Sequence, residues 1–147
     1  MMRQLAMFTA VLGAVSPALA DEHVHPTHVA VFVGAASSSH GSGAAAGVDV
    51  ERRFGAFGVA LVADGARIDD ANQLLVIPAV VVHPWRGLKV LAGVGWERAH
   101  GHDAVAFRAG TGYDAHVGAM SIGPSVALDR AGGVTSVVFG AAVGAGF

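Results

Sequence analysis

The sequence predicts an all-β fold, an eight-stranded antiparallel up-and-down transmembrane β-barrel. Three observations predict it. The chain is apolar overall, with 53% hydrophobic and only 14% charged residues, where an ordinary soluble domain carries about 25% charged residues. It opens with the pattern of an export signal, and no later apolar run approaches the ~20 residues that a membrane-spanning helix needs. The chain beyond the signal divides into eight segments of period-two character. In lipid every backbone amide must be paired, which only helices and closed barrels achieve.

The first twenty residues read as a signal peptide. Arg3 gives a charged start, Leu5 to Val15 is almost wholly apolar, and Ser16-Pro17-Ala18-Leu19-Ala20 ends in an Ala-x-Ala cleavage site. The alternative, a transmembrane anchor, fails on length, because the apolar run is too short for ~30 Å of hydrocarbon. Cleavage after Ala20 leaves a mature chain that starts Asp21-Glu22-His23. Residues 21–27 read as a polar periplasmic leader and residues 28–147 as the barrel domain. The chain has no cysteine, so disulfides, thiolate metal sites and cysteine nucleophiles are excluded. Its net charge of −2 offers no basic footprint for nucleic acid.

The eight segments run approximately over residues 28–36, 44–53, 57–64, 73–83, 88–98, 104–114, 119–129 and 135–147. Each is near the ~9–11 residues of a tilted membrane strand. In the fifth, Leu88, Val90, Ala92, Val94 and Trp96 share one row, against Lys89, Gly93, Gly95 and Glu97. In the sixth, Val105, Phe107, Ala109, Thr111 and Tyr113 oppose Arg108, Gly110, Gly112 and Asp114. Charges and glycines thus recur in one row and large apolar residues in the other. A soluble barrel would put the large apolar row inside and leave glycine, alanine and a few charges to face water. A membrane barrel reverses this, and a narrow eight-stranded lumen suits small residues beside a few long charged ones. The inward charges are then Asp49, Glu51, Arg53, Asp64, Lys89, Glu97, Arg108, Asp114 and Asp129. In so narrow a space they form an ion-pair network that plugs the lumen, in preference to a selectivity path. Alanine-rich Ala44–Val50 also has helical propensity, but closing the sheet requires it as a strand.

The connections fit a meander with both termini periplasmic. Phe54–Ala56, Pro84–Gly87 and Ala115–Gly118 are short, while Ser37–Gly43, Gly65–Asn72, Ala99–Asp103 and Arg130–Val134 read as longer external loops. Phe54, Trp85, Trp96 and Tyr113 fall near segment ends, as interface aromatics do.

At this level of pattern the mature chain resembles the small outer-membrane barrels of the OmpA/OmpX type and the compact porin-like outer-membrane β-barrel proteins. The resemblance rests on Val143-Gly-Ala-Gly-Phe147, on Gly47-Val-Asp-Val-Glu-Arg-Arg-Phe54, on His83-Pro-Trp-Arg-Gly87 with Leu-Lys-Val-Leu after it, and on Arg108-Ala-Gly-Thr-Gly-Tyr-Asp114. It implies the cell outer membrane of a Gram-negative bacterium, contact with outer-membrane lipid, a monomer, and recognition of Phe147 by the barrel-assembly machinery.

Catalytic motifs are absent. Gly93-Val-Gly95 and Gly110-Thr-Gly112 lack the third glycine and the helix of a dinucleotide site, and no G-x-S-x-G, H-E-x-x-H or P-loop occurs. Lipid A deacylases, barrels of similar length, carry a His-x-Ser pair and a later carboxylate. Here Val117-Gly118 comes after His116, and His40-Gly41-Ser42 has Phe54 where that family's acid would fall. A nucleophile needs a base and an orienting third group, so a lipid-modifying enzyme is the weakest reading. The favoured function is a structural or interaction barrel without catalysis.

The alternative is metal handling, for Cu, Ni or Zn, by the amino-terminal residues Asp21, Glu22, His23, His25 and His28. Imidazole is the commonest metal ligand near neutral pH. After cleavage His23 is third from a free amine. The amine, two deprotonated amides and the His23 ring would form a square-planar nitrogen site suited to Cu(II) or Ni(II). His100-Gly101-His102 adds a pair in an expected loop.

Overall fold

The computed structural model describes residues 25–147. The signal segment and Asp21, Glu22 and His23 lie outside the described residues. The chain forms β1 (Thr27–Ser38), β2 (Gly41–Phe54), β3 (Phe57–Ile68), β4 (Ala71–Trp85), β5 (Leu88–Ala99), β6 (His102–Tyr113), β7 (Ala115–Val117), β8 (Met120–Ala131) and β9 (Val134–Gly146). β6 and β7 are one barrel stave. Both pair with β8, and the ladder lapses at Tyr113 and Asp114, opposite Pro124 and Gly123, where proline has no N–H to give. Neighbours in sequence pair antiparallel, and β9 pairs with β1, so eight staves close into a ring.

The registers fix the barrel's geometry. A row of paired residues leaving β4 at Val81 passes Leu91, Gly110, Ala127, Val138, Ala36, Gly43 and Ile68 and returns to β4 at Ala71, ten residues away. That stagger on eight strands tilts them by about 40°. The seam between β1 and β9 is finished by two backbone bonds, from Thr27 N to Phe147 O at 3.1 Å and from Phe147 N to Thr27 O at 2.9 Å. The alanine-rich stretch of β2 is strand throughout, paired on one side with β1 and on the other with β3.

The rows expected on the fifth and sixth segments hold on β5 and β6. Val94, Val105 and Phe107 are 51%, 63% and 55% exposed, while Lys89 and Arg108 are 5% and 6% exposed. The interior row is small. Where a lumenal side chain is long, the glycine beside it makes room: a methyl group at Gly112 would sit 3.2 Å from Lys89 Cε, and one at Gly58 would sit 2.6 Å from Glu51 Oε1. This accounts for charges and glycines sharing one row.

One expectation is corrected. The connections at the end away from the termini are not longer loops. Ser39-His40, Asp69-Asp70, His100-Gly101 and Gly132-Gly133 are two-residue turns, as short as those at the other end. Asp69 (φ 47°) and Asp70 (φ 62°) both take the left-handed conformation, which a tight hairpin matching the strand twist demands and which Asp tolerates. The polar residues flanking these turns belong to the strands. Arg67 faces outward and meets Asp70 at 3.0 Å, and Gln73 faces the lumen.

Candidate functional site

Among the described residues, the lumen is where charged groups converge away from water, and it is organised in layers. Nearest the termini, His83 and Glu51 share a hydrogen bond of 2.6 Å, both buried. His83 continues the inward row of Leu75, Ile77, Ala79 and Val81, and the bulge between Val82 and Trp85 that shifts the β4–β5 register by one turns Trp85 outward. In the same region His28 Nε2 lies 2.8 Å from Ser121 Oγ, joining β1 to β8. Next, Lys89 reaches from β5 between two acids, 3.5 Å from Asp114 Oδ2 and 3.8 Å from Asp49 Oδ2.

Further along, Arg108 forms the strongest cluster. Its Nε and Nη2 donate to the two oxygens of Asp129 at 2.6 and 2.7 Å, a bidentate fork. Its Nη1 donates to Asp64 of β3, across the lumen. Asp129 is the direct cross-strand neighbour of Arg108, so register produces the fork. The end away from the termini is capped by apolar residues. Ala36, Ala45, Ile68 and Val138 pack together there with Phe32 beside them, and Val62, Leu75, Ile77, Ala79, Ala106 and Ala131 line the wall below.

The space left between these groups is small. A cavity of about 40 Å³ lies among Asp49, Asp64, Lys89, Arg108 and Ser125. A second, of about 20 Å³, lies among Gln73, Glu97, Asp129 and Ser136. Each has room for a water or a few. All nine charged residues assigned to the inward row fall on the lumenal face, and Asp49, Glu51, Asp64, Lys89, Arg108, Asp114 and Asp129 form the ion pairs and hydrogen bonds just described. His28–Ser121 and His83–Glu51 lie beyond the reach of a sequence pattern, because 93 and 32 residues separate the partners.

Of the predicted metal ligands, only His25 and His28 fall among the described residues, and they have different surroundings. His28 lies in β1 and points inward to Ser121. His25 is exposed before the strand, with its side chain against Gly146. No group of three or more potential ligands comes together among the described residues. His100 sits in a turn with φ 52° and His102 starts β6.

The outer surface is the second candidate. Among the described residues, twenty-six large apolar side chains are exposed, enough to form a belt around the barrel. Five exposed aromatics, Phe54, Phe57, Trp85, Tyr113 and Phe147, gather at the end that carries the termini.

No protein-family model and no curated protein matches the chain. Among solved structures it is similar to Neisserial surface protein A, with a TM-score of 0.71 and 14% identity over 86% of this chain and all of that one. The likeness supports the fold: a closed, all-antiparallel, eight-stranded barrel of meander topology.

Proposed function

We propose that this protein is an integral barrel of the outer membrane, with a structural or interaction role and no catalysis. The observation that carries the reading is inverted polarity: valine, leucine and phenylalanine cover the outside, while Glu51, Asp64, Lys89, Arg108, Asp114 and Asp129 are buried within. In water that arrangement exposes an apolar area far beyond the few hundred Å² of an ordinary surface patch. In a bilayer the belt faces hydrocarbon and the aromatic end sits at the headgroups. The likeness to a protein named for the cell surface supports the same reading, as does the OmpA/OmpX resemblance. The filled lumen favours a rigid, sealed scaffold over a porin-like path. The enzyme alternative gains little from His28 and Ser121, since Ser121 is 3% exposed and no acid contacts the other ring nitrogen among the described residues. Phe147, at the end of the closing strand, is the residue we assign to recognition by the assembly machinery. Metal capture at His23 is the second reading, favoured by its place third after the predicted cleavage site.

The test is membrane fractionation and then gel migration with and without boiling. The expected result is a band in the outer-membrane fraction that runs as a compact, detergent-resistant species until heated. A protein recovered soluble from the periplasm, folded without detergent, would overturn the reading.

A further inference from the structure

On the outside of the barrel, β5, β6 and β8 share a groove of about 570 Å³, within the ~300–1,000 Å³ typical of ligand sites. Two cross-strand rows build it. The lower row is Ala92, Ala109 and Leu128, and the upper is Val94, Phe107 and Arg130. All six point outward. Ala92 and Ala109 are direct neighbours with only a methyl group each, so they make a trough between the larger side chains around them. Its upper edge lies two residues, about 7 Å along the strands, above the floor, and Arg130 stands there.

Arg130 differs from the other outward arginines at this end. Arg67 meets Asp70 at 3.0 Å and Arg98 meets Asp103 at 3.9 Å. Arg130 has no ion pair or hydrogen bond to a side chain among the described residues. Its cross-strand neighbours are Phe107 and Thr135. It lies two residues from the Gly132-Gly133 turn, where a bilayer's headgroups begin. A guanidinium is the side chain best matched to a phosphate, offering a fork of donors with no acceptor.

We propose that this groove is a binding site for a phosphate-bearing membrane lipid. One acyl chain lies in the trough over Ala92 and Ala109, and Arg130 holds the phosphate. The proposal rests on the membrane reading and goes beyond it, since a generic annulus of lipid would need no unpaired arginine beside a trough.

The probe is dimyristoyl phosphatidic acid, added to the mature barrel refolded in a non-ionic detergent, with bound lipid counted by native mass spectrometry. Dimyristoyl glycerol, which has the chains without the phosphate, is the control. One phosphatidic acid should be retained per barrel. Arg130→Gln should weaken its apparent affinity about tenfold, the loss expected of a charge-assisted contact. Arg98→Gln should leave it within about twofold, since that arginine is already paired. Ala109→Trp should abolish retention by filling the trough, in a barrel that still shows heat-modifiable migration. Equal retention of diacylglycerol and phosphatidic acid, an unchanged Arg130→Gln barrel, or full binding by Ala109→Trp would each overturn the proposal. So would a dimer that occupies this face and excludes lipid. These outcomes leave the membrane reading standing, because the same preparations report it separately: a barrel that folds only in detergent supports it, and one that folds in buffer alone refutes it.

Discussion

Replacing Arg108 by methionine tests whether the lumenal network holds the barrel together. The guanidinium makes three hydrogen bonds to two buried carboxylates, those of Asp64 and Asp129. These side chains are 11% and 7% exposed. Removing one partner of a buried pair leaves uncompensated charge and costs roughly 3–5 kcal/mol. Cavities of about 20 and 40 Å³ flank the site, and water entering the space left by the guanidinium would partly solvate the acids. The expectation is therefore near the lower bound, about 3 kcal/mol. Urea titration of barrels refolded in lipid vesicles, read by the fluorescence of Trp85 and Trp96, measures it. The triple variant Arg108→Met, Asp64→Asn, Asp129→Asn removes the charges together and should recover most of the loss, because uncharged replacements of buried ion networks are often close to neutral. An Arg108→Met barrel within ~0.5 kcal/mol of the parent, the range of an ordinary surface change, would refute the reasoning. A triple variant no better than the single would mean that the arginine acts by packing.

Leu61→Arg places a charge midway along β3, on the outer face, and should cost ~2–4 kcal/mol in vesicles; tolerance within ~0.5 kcal/mol would put that face in water. Deleting Phe147 removes both bonds that finish the β1–β9 seam and should lower the amount of barrel in the outer-membrane fraction, read by immunoblot; unchanged levels would count against its assigned role. A mature chain starting at Asp21 should bind one Cu(II) with a square-planar visible and electron paramagnetic resonance spectrum. Adding one residue before Asp21, or making His23→Ala, should abolish that spectrum with His25 and His28 still present. Survival of the spectrum in the extended chain would reduce the leader to a loose histidine cluster.

Much of the architecture was legible because one property, period-two alternation, reports both the strand and its two faces. Lys89, Arg108 and Asp114 declared the inner face by charge, and the glycines among them declared it by size. The turns were harder to read. Gly65–Asn72 is polar and looks like a loop, yet its backbone stays extended to Ile68, and only Asp69 and Asp70 turn. Composition could not separate a polar strand end from a polar loop, because both lie beyond the apolar belt. The lumenal pairs were illegible for a different reason. Arg108 with Asp129 needs one register, but His28 with Ser121 needs the ring to close, and a one-residue slip anywhere would send one partner outside. His83 keeps the inward parity of Leu75, Ile77, Ala79 and Val81, but Leu74–Val82 is so nearly continuously apolar that its pattern names no inner face.

The closing seam carries a consequence for how the chain reaches this form. Every other pairing is a hairpin across a two-residue turn, local in sequence and quick to zip, on the order of microseconds. β1 and β9 meet only after on the order of a hundred intervening residues are in place, and closing so long a loop costs about 3 kcal/mol more than closing a hairpin. The ribbon would therefore spend its last moments open, with Thr27–Ser38 and Val134–Gly146 as two bare edges. Neither segment has an Asp, Glu, Lys or Arg, and an edge without such charges invites pairing with another chain. If the chain is exported as proposed, the hazard would lie at these two edges and vanish on closure, so a chaperone or insertase that shields β1 and β9 until then would protect the yield.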